Sequence, residues 1–392
     1  MLGSLKYNIP SLYIIKISKW FNMVMPVVVL FYNDNGMGMH EIFVLKAIYS
    51  VAIVAMEIPS GYMADAWGRK KTLLLGSILG ASGFVIYSFS YGFVAFAIAE
   101  IILGIGHSFV SGADSAMLYD SLKVRGKEGV YLKNEGRVTS AGNFAEAVAG
   151  IAGGFLATIS LRTPFFFQAA VAASAIPAAM VMAEPKIHDM NHIHSIPALI
   201  KNIRDTFANN LNLRIAVLFS ALTGTATLTF AWFVQPFLKE TDTPVAWFGI
   251  IWTLLNLSVG ISTMFAYKVE EKLGWLKSTV LILILISSGF IFPGLFITRA
   301  GIVFLFLFYL FRGMATPILK NYVNQFADSE VRATILSSRN FIIRINFAVI
   351  GPALGYITDH LSLKPALIIA GCIYFIAGFF TLLPWLRGKL TR

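Results

Sequence analysis

The chain has 392 residues, of which 57% are hydrophobic, 14% aromatic and only 13% charged, and its formal net charge is +11. A soluble domain carries about 25% charged residues, so this composition excludes a water-facing globular surface and leaves little chain for a soluble enzyme domain. In a soluble protein such a charge would suggest nucleic acid, but the positions of the basic residues argue for membrane topology instead.

A membrane-spanning helix needs about 20 mostly apolar residues. Such windows recur at 9–32, 40–63, 71–90, 93–118, 136–160 and 163–183, then at 213–237, 244–267, 277–297, 300–324, 333–358 and 364–386. The predicted fold class is an all-α membrane protein of twelve helices in two pseudo-symmetric six-helix halves. The first window lacks a small-residue cleavage site and reads as a retained span, not a signal peptide. On it Lys16, Lys19 and Asn22 fall three residues apart on one face, where they line a vestibule or the lysines snorkel to lipid phosphates. The second window carries Lys46 and, nearer its far end, Glu57. A very short loop follows, Gly61-Tyr62-Met63-Ala64-Asp65-Ala66-Trp67-Gly68-Arg69-Lys70-Lys71. The fourth window holds Glu100, His107 and Asp114, with Asp120 just beyond it, and the fifth holds Asn143 and Glu146.

The polar stretch 184–212, with Pro185, Pro197, and His188, His192 and His194, reads as a cytoplasmic linker; its histidines lack the spacing of a metal site. The predicted domains are therefore 1–183, the linker 184–212, and 213–392. In the second half Trp232, Phe233 and Gln235 offer ligand-binding surface or form an interfacial belt. Arg312, Arg339 and Arg344 sit inside the tenth and eleventh windows. The single Cys372 cannot form an internal disulfide and reads as a packing residue.

Segment 147–156 aligns with 348–357, each with Gly at i and i+4, so the fifth and eleventh windows correspond as in an internal repeat. With both termini cytoplasmic, about 21 Lys and Arg fall at the inner face and about 4 (Arg162, Lys239, Arg299 and Lys364) at the outer face. That is the orientation expected in a bacterial cytoplasmic membrane.

The loop after the second window resembles the signature of the major facilitator superfamily: Gly, three residues, Asp, two residues, Gly, Arg, filled here by Gly61, Asp65, Gly68 and Arg69. The resemblance covers nearly the whole chain and is nearest to the drug:proton antiporter branch. It implies alternating access by two rocking halves. Asp65 would hold a helix N-terminus, that of the eleventh span, and Arg69 would pair with Asp120 as part of the same gate. The second-half counterpart, 267–274, keeps acids and one glycine but lacks the Gly-Arg pair. Glu100 stands where the family's fourth span carries Arg, and the Gly-Pro pair of antiporter fifth spans is absent, appearing instead as Gly351-Pro352.

An ionisable residue at the bilayer centre costs about 2.5–3.5 kcal/mol on insertion scales, so each is a functional candidate. Burial disfavours the charged form of a carboxylate unless a cation opposes it. Glu100 and Glu146, with His107 as a relay, are thus the proton-coupling candidates. Asn22, Asn143, Trp232, Arg312, Arg339 and Arg344 are the substrate-cavity candidates; acids in one half and arginines in the other suit an anionic or zwitterionic solute, or simply pair. No phosphate-binding loop and no nucleophile elbow occurs, so the sequence predicts no enzyme, no cofactor and no metal. The expected partners are a small solute, protons and membrane lipids, with no nucleic acid, and the expected state is a monomer. The function this predicts is proton-coupled export of a small organic solute, with uptake of an organic anion or zwitterion as the alternative. A receptor or scaffold that does not transport is the reading from another class.

Overall fold

The computed structural model describes residues 4–185, 210–327 and 332–388, and among these there is no strand. The predicted histidines 188, 192 and 194 and most of the linker lie outside the described residues. The chain divides into two compact units, Met1–Asp189 with Pro244–Thr253, and Met190–Thr243 with Leu254–Arg392.

The first unit is built from α1 (Asn8–Trp20), α2 (Val28–Asp34), α3 (Met39–Trp67), α4 (Arg69–Phe89), α5 (Gly92–Lys123), α6 (Tyr131–Ile159), α7 (Thr163–Ala173) and α8 (Ala175–Met180). The second holds α9 (Leu211–Glu240), most of α10 (Val245–Leu295), α11 (Ile302–Phe326), α12 (Arg332–His360) and α13 (Leu363–Leu386). Helices α3–α6, the α7–α8 pair and α9–α13 are each long and apolar enough to cross a membrane. Exposed side chains such as Ile58, Phe89, Leu132, Phe144, Ile159, Met264 and Phe380 are apolar, a surface suited to lipid and not to water.

Two predicted spans differ in form. The first is not one helix over 9–32: α1 ends at Trp20, and residues 21–27 are non-helical before α2 begins. Pro26 in this segment has no amide proton to give to a helix. The Met23 amide donates instead to Oε1 of Gln168, 2.9 Å away on α7, and Gln168 is only 1% exposed. The Met23 carbonyl presses on α6 so closely that a Cβ at Gly153 would sit 1.9 Å from it. The eighth and ninth windows are joined in α10, whose 51 residues bend at Gly274, where φ is 71°.

The first copy of the repeat makes a close contact: a Cβ on Gly154 would meet the Gly249 amide nitrogen at 2.8 Å, so α6 lies backbone to backbone against the start of α10. Asn8 is wholly buried and ties α1 to the end of the sixth span, donating to Ala183 O and to Ser121 Oγ while accepting from the Ala183 amide. In the second unit the core is aromatic: Phe230 stacks on Phe308 with centroids 3.7 Å apart, and Phe290 packs on both Phe308 and Tyr374. Cys372, expected in the packing, is exposed on α13 instead.

Candidate functional site

The charged loop after α3 is shorter than a turn. Gly68 alone separates α3 from α4, with φ 99° and ψ 148°, a backbone that side chains rarely adopt. Its sharp reversal aims the first amides of α4 at a carboxylate. Glu184 Oε1 accepts from the Arg69 amide at 2.7 Å and Oε2 from the Lys70 amide at 2.8 Å, so an anion caps the positive end of the helix. A Cβ on Gly68 would lie 2.9 Å from that carboxylate. The Arg69 side chain turns the other way, paired with Asp120 and donating to Ala116 O at 2.6 Å on α5. Asp65, exposed in the last turn of α3, stands within electrostatic reach of Arg69. A Cβ on Gly61 would meet nothing within 4 Å, so no contact within this unit requires that glycine. Three segments, the α3–α4 junction, the end of α5 and the end of the sixth span, are thus clasped by one cation and two anions.

Glu100 lies deep in the first unit, 2% exposed, and finds its cation in Lys46. Tyr87 and Tyr32 hydroxyls donate to the same carboxylate oxygen at 2.6 Å and 2.9 Å, and Lys46 also reaches the Tyr32 hydroxyl at 2.8 Å. Phe31, Phe96 and Phe165 wall the cluster. Desolvated charges persist where a partner and further hydrogen bonds satisfy them, and all three donors are present here. His107, two turns further along α5, shares a hydrogen bond of 3.2 Å with the Tyr49 hydroxyl.

Nearer the Gly68 end of the first unit, Lys16 on α1 pairs with Asp114 on α5 at 3.0 Å, and Ser115 donates to Glu135 on α6 at 3.0 Å. Lys16 is therefore an ion-pair partner inside the bundle. Glu146 is half-buried on α6 and Asn143 is exposed. Asn22 falls in the break of the first span, and its Oδ1 is buried without a hydrogen bond among the described residues.

In the second unit Arg339 is half-buried and held by neutral groups: its Nε donates to Ser220 Oγ at 2.5 Å and its Nη1 to Asn340 Oδ1 at 3.2 Å. Arg312 lies over the Tyr309 ring, 5.3 Å from its centroid. Arg344 is half-buried on the same helix as Arg339. Trp232, Phe233 and Gln235 are buried, at 7%, 1% and 1% exposure.

Sequence reasoning missed Glu184, Gln168 and the joining of Lys16 to Asp114. Glu184 stood at the edge of the linker, and its signal was a carboxylate ending an apolar span on the same side as the Gly68 turn. Gln168 was one polar residue in an apolar window, and only the break in the first span explains it.

A sequence model described as Major Facilitator Superfamily matches residues 20–349. The chain is 23% identical over 385 residues to "Multidrug resistance protein 2" of Bacillus subtilis (strain 168), covering 94% of this chain and 92% of that one. It is 22% identical over 334 residues to "Quinolone resistance protein NorA" of Staphylococcus aureus (strain MRSA252), covering 82% and 83%. In fold it is similar to the crystal structure of the nucleoside transporter NupG, with TM-score 0.81, 15% identity, and 97% and 99% of the two chains covered.

Proposed function

Because this chain belongs to the Major Facilitator Superfamily and is thereby a membrane transporter, we propose that it is a proton-coupled exporter of small organic solutes, working by alternating access in a bacterial cytoplasmic membrane. The clasp around Gly68 is the observation that carries this reading. It gathers one guanidinium and two carboxylates at a junction with no slack, and such a network has two discrete states, closed and broken. A gate requires that. The positive-inside distribution supports placing this end, and both termini, at the cytoplasmic face. Titratable groups of the first unit supply the coupling, with Glu146 and, as a relay, His107 among the candidates; Glu100, opposed by Lys46, is better suited to holding the unit together. Relatives named for drug resistance favour export. The solute, protons and lipids are its partners, and it works as a monomer.

A second reading, uptake of an organic anion or zwitterion with protons, is favoured by Arg339, a half-buried guanidinium whose partners are neutral, with Arg312 and Arg344 in the same unit. Inverted membrane vesicles holding a proton gradient and a pH dye separate the two. Gradient dissipation by lipophilic cations is the expected result. Proton movement that follows only organic anions or zwitterions would replace export with the second reading, and none with any solute would overturn proton coupling.

A further inference from the structure

Asn8 opens α1 and is wholly buried. Its side chain bonds to two segments far away in the chain. Nδ2 donates to Ser121 Oγ at 2.8 Å and to the Ala183 carbonyl at 2.9 Å, while Oδ1 accepts from the Ala183 amide at 2.9 Å. The side-chain amide thus meets the main chain of Ala183 through both of its polar groups, as one peptide unit meets another. That pattern also fixes which of its ends is oxygen and which is nitrogen. Met117, whose sulfur lies 3.6 Å from Nδ2, belongs to a buried apolar cluster with Leu12, Leu122 and Met182. An amide among such neighbours is costly to bury unless its donors and acceptor are all used, and here they are.

The two residues that Asn8 holds are each next in the chain to an anion of the Gly68 clasp. Ser121 follows Asp120, which pairs with Arg69, and Ala183 precedes Glu184, whose two oxygens take the Arg69 and Lys70 amides. The segment carrying Glu184 has already left its helix: α8 ends at Met180, and residues 182–185 have no regular structure. Glu184 itself is exposed, so its place depends on the main chain just before it, where Asn8 binds. A further bond ties the same regions together, since Arg125, just past α5, donates to the Leu5 carbonyl ahead of α1.

We propose that Asn8 is the positioning residue of the clasp: it sets the spacing of the Asp120 and Glu184 segments, so that one carboxylate meets the Arg69 side chain and the other its amide. The inference rests on the reading of the clasp as a gate and adds to it an uncharged member from the first span. A shift of the 182–185 segment that takes Glu184 off the α4 amides also strips Asn8 of its two bonds to Ala183. A buried amide resists that, because an unmade bond costs more than a made one contributes. Asn8 therefore keeps the clasp from slackening by degrees, and its bonds and those of Glu184 are made and lost together.

Hydrogen exchange of the purified full chain in detergent, read residue by residue by mass spectrometry, tests this without any solute. The Arg69 and Lys70 amides lie in the first turn of α4, where no carbonyl of the helix can accept from them, so their protection reports the Glu184 contact. Glu184→Ala is expected to speed exchange at both by about tenfold or more, as loss of a hydrogen bond to a charged group does. Asn8→Ala is expected to speed it by a similar factor, although Asn8 touches neither amide, and the double variant to exchange no faster than Glu184→Ala alone. Asn8→Asp keeps the size of the side chain and replaces only its nitrogen; it is expected to give the same local change and decides the matter if Asn8→Ala does not fold. Amides in the middle of α4 stay protected throughout. Wild-type exchange at Arg69 and Lys70 in the Asn8 variants, or a rise spread evenly over the first unit, would overturn the assignment. Inverted vesicles with ethidium as probe keep the two ideas apart. Asn8→Ala is expected to slow ethidium-driven proton movement as Glu184→Ala does, with equilibrium ethidium binding unchanged. If Glu184→Ala slows it and Asn8→Ala does not, the positioning role falls and the gate stays. If exchange changes as described but neither variant alters transport, the positioning role stays and the gate reading fails.

Discussion

Replacing Lys46 by Met tests what the most buried charge in the first unit is for. The substitution keeps the length of the side chain and deletes its ammonium, leaving the Glu100 carboxyl group at 2% exposure with only the Tyr32 and Tyr87 hydroxyls to satisfy it. Removing one partner of a buried pair costs about 3–5 kcal/mol. Two phenol donors remain on the carboxylate, so the expected loss is at the low end, about 3 kcal/mol. Glu100→Gln alone strands the ammonium and costs a similar amount. The double variant Lys46→Met/Glu100→Gln removes both charges, keeps an acceptor for the phenols, and is expected to recover about 2–3 kcal/mol of the summed loss. A double-mutant cycle in mixed micelles, unfolding each protein with dodecyl sulfate and following tryptophan fluorescence, measures this directly. A Lys46→Met cost below about 1 kcal/mol, or single losses that simply add, would refute the reasoning. In vesicles the double variant is expected to keep solute-driven proton movement, and loss of that movement would return Glu100 to the coupling groups.

Asp65→Asn and Arg69→Ala are expected to slow turnover while leaving solute binding largely intact, whereas Arg344→Ala weakens binding itself; equilibrium binding beside initial rates distinguishes them, and equal binding losses in all three would break this division of labour. Glu184→Gln keeps the shape of the cap on α4 but halves its strength, with an expected cost of about 0.5–1 kcal/mol in unfolding free energy and a slower transport rate. Gly153→Ala drives a methyl group to within 1.9 Å of the Met23 carbonyl. The expected cost is about 1–3 kcal/mol, read as a lowered unfolding midpoint, and a neutral result would show that the break in the first span can move.

The fold was legible in the sequence because lipid imposes a simple rule: every backbone group that crosses must be satisfied within its helix, and apolar windows of fixed length record that. The family was legible for a different reason. Gly61, Asp65, Gly68 and Arg69 lie close together in the chain, so their spacing is visible without the third dimension. Glu184 belongs to the same clasp but is 115 residues from Arg69, and nothing local marks it. Lys16 and Asp114, 98 residues apart, show the same limit: each was visible as an intramembrane charge, and only packing chooses partners. The break in the first span was hidden because hydropathy averages over residues 21–27, where Val24, Met25, Pro26 and Val27 are as apolar as any helix. Hydropathy reports the cost of leaving water, and backbone continuity is a separate property.

The broken first span also bears on how the protein is made. The helix α1 has 13 residues, about 20 Å of rise, which is too short for a hydrocarbon core of about 30 Å. Its completion depends on the Met23 amide meeting Gln168, a residue 145 positions later in the chain. At about 5–20 residues per second of synthesis, this segment waits roughly 7–30 s for the side chain that satisfies it. A segment that precedes α7 in the chain is therefore finished only once α7 has been made.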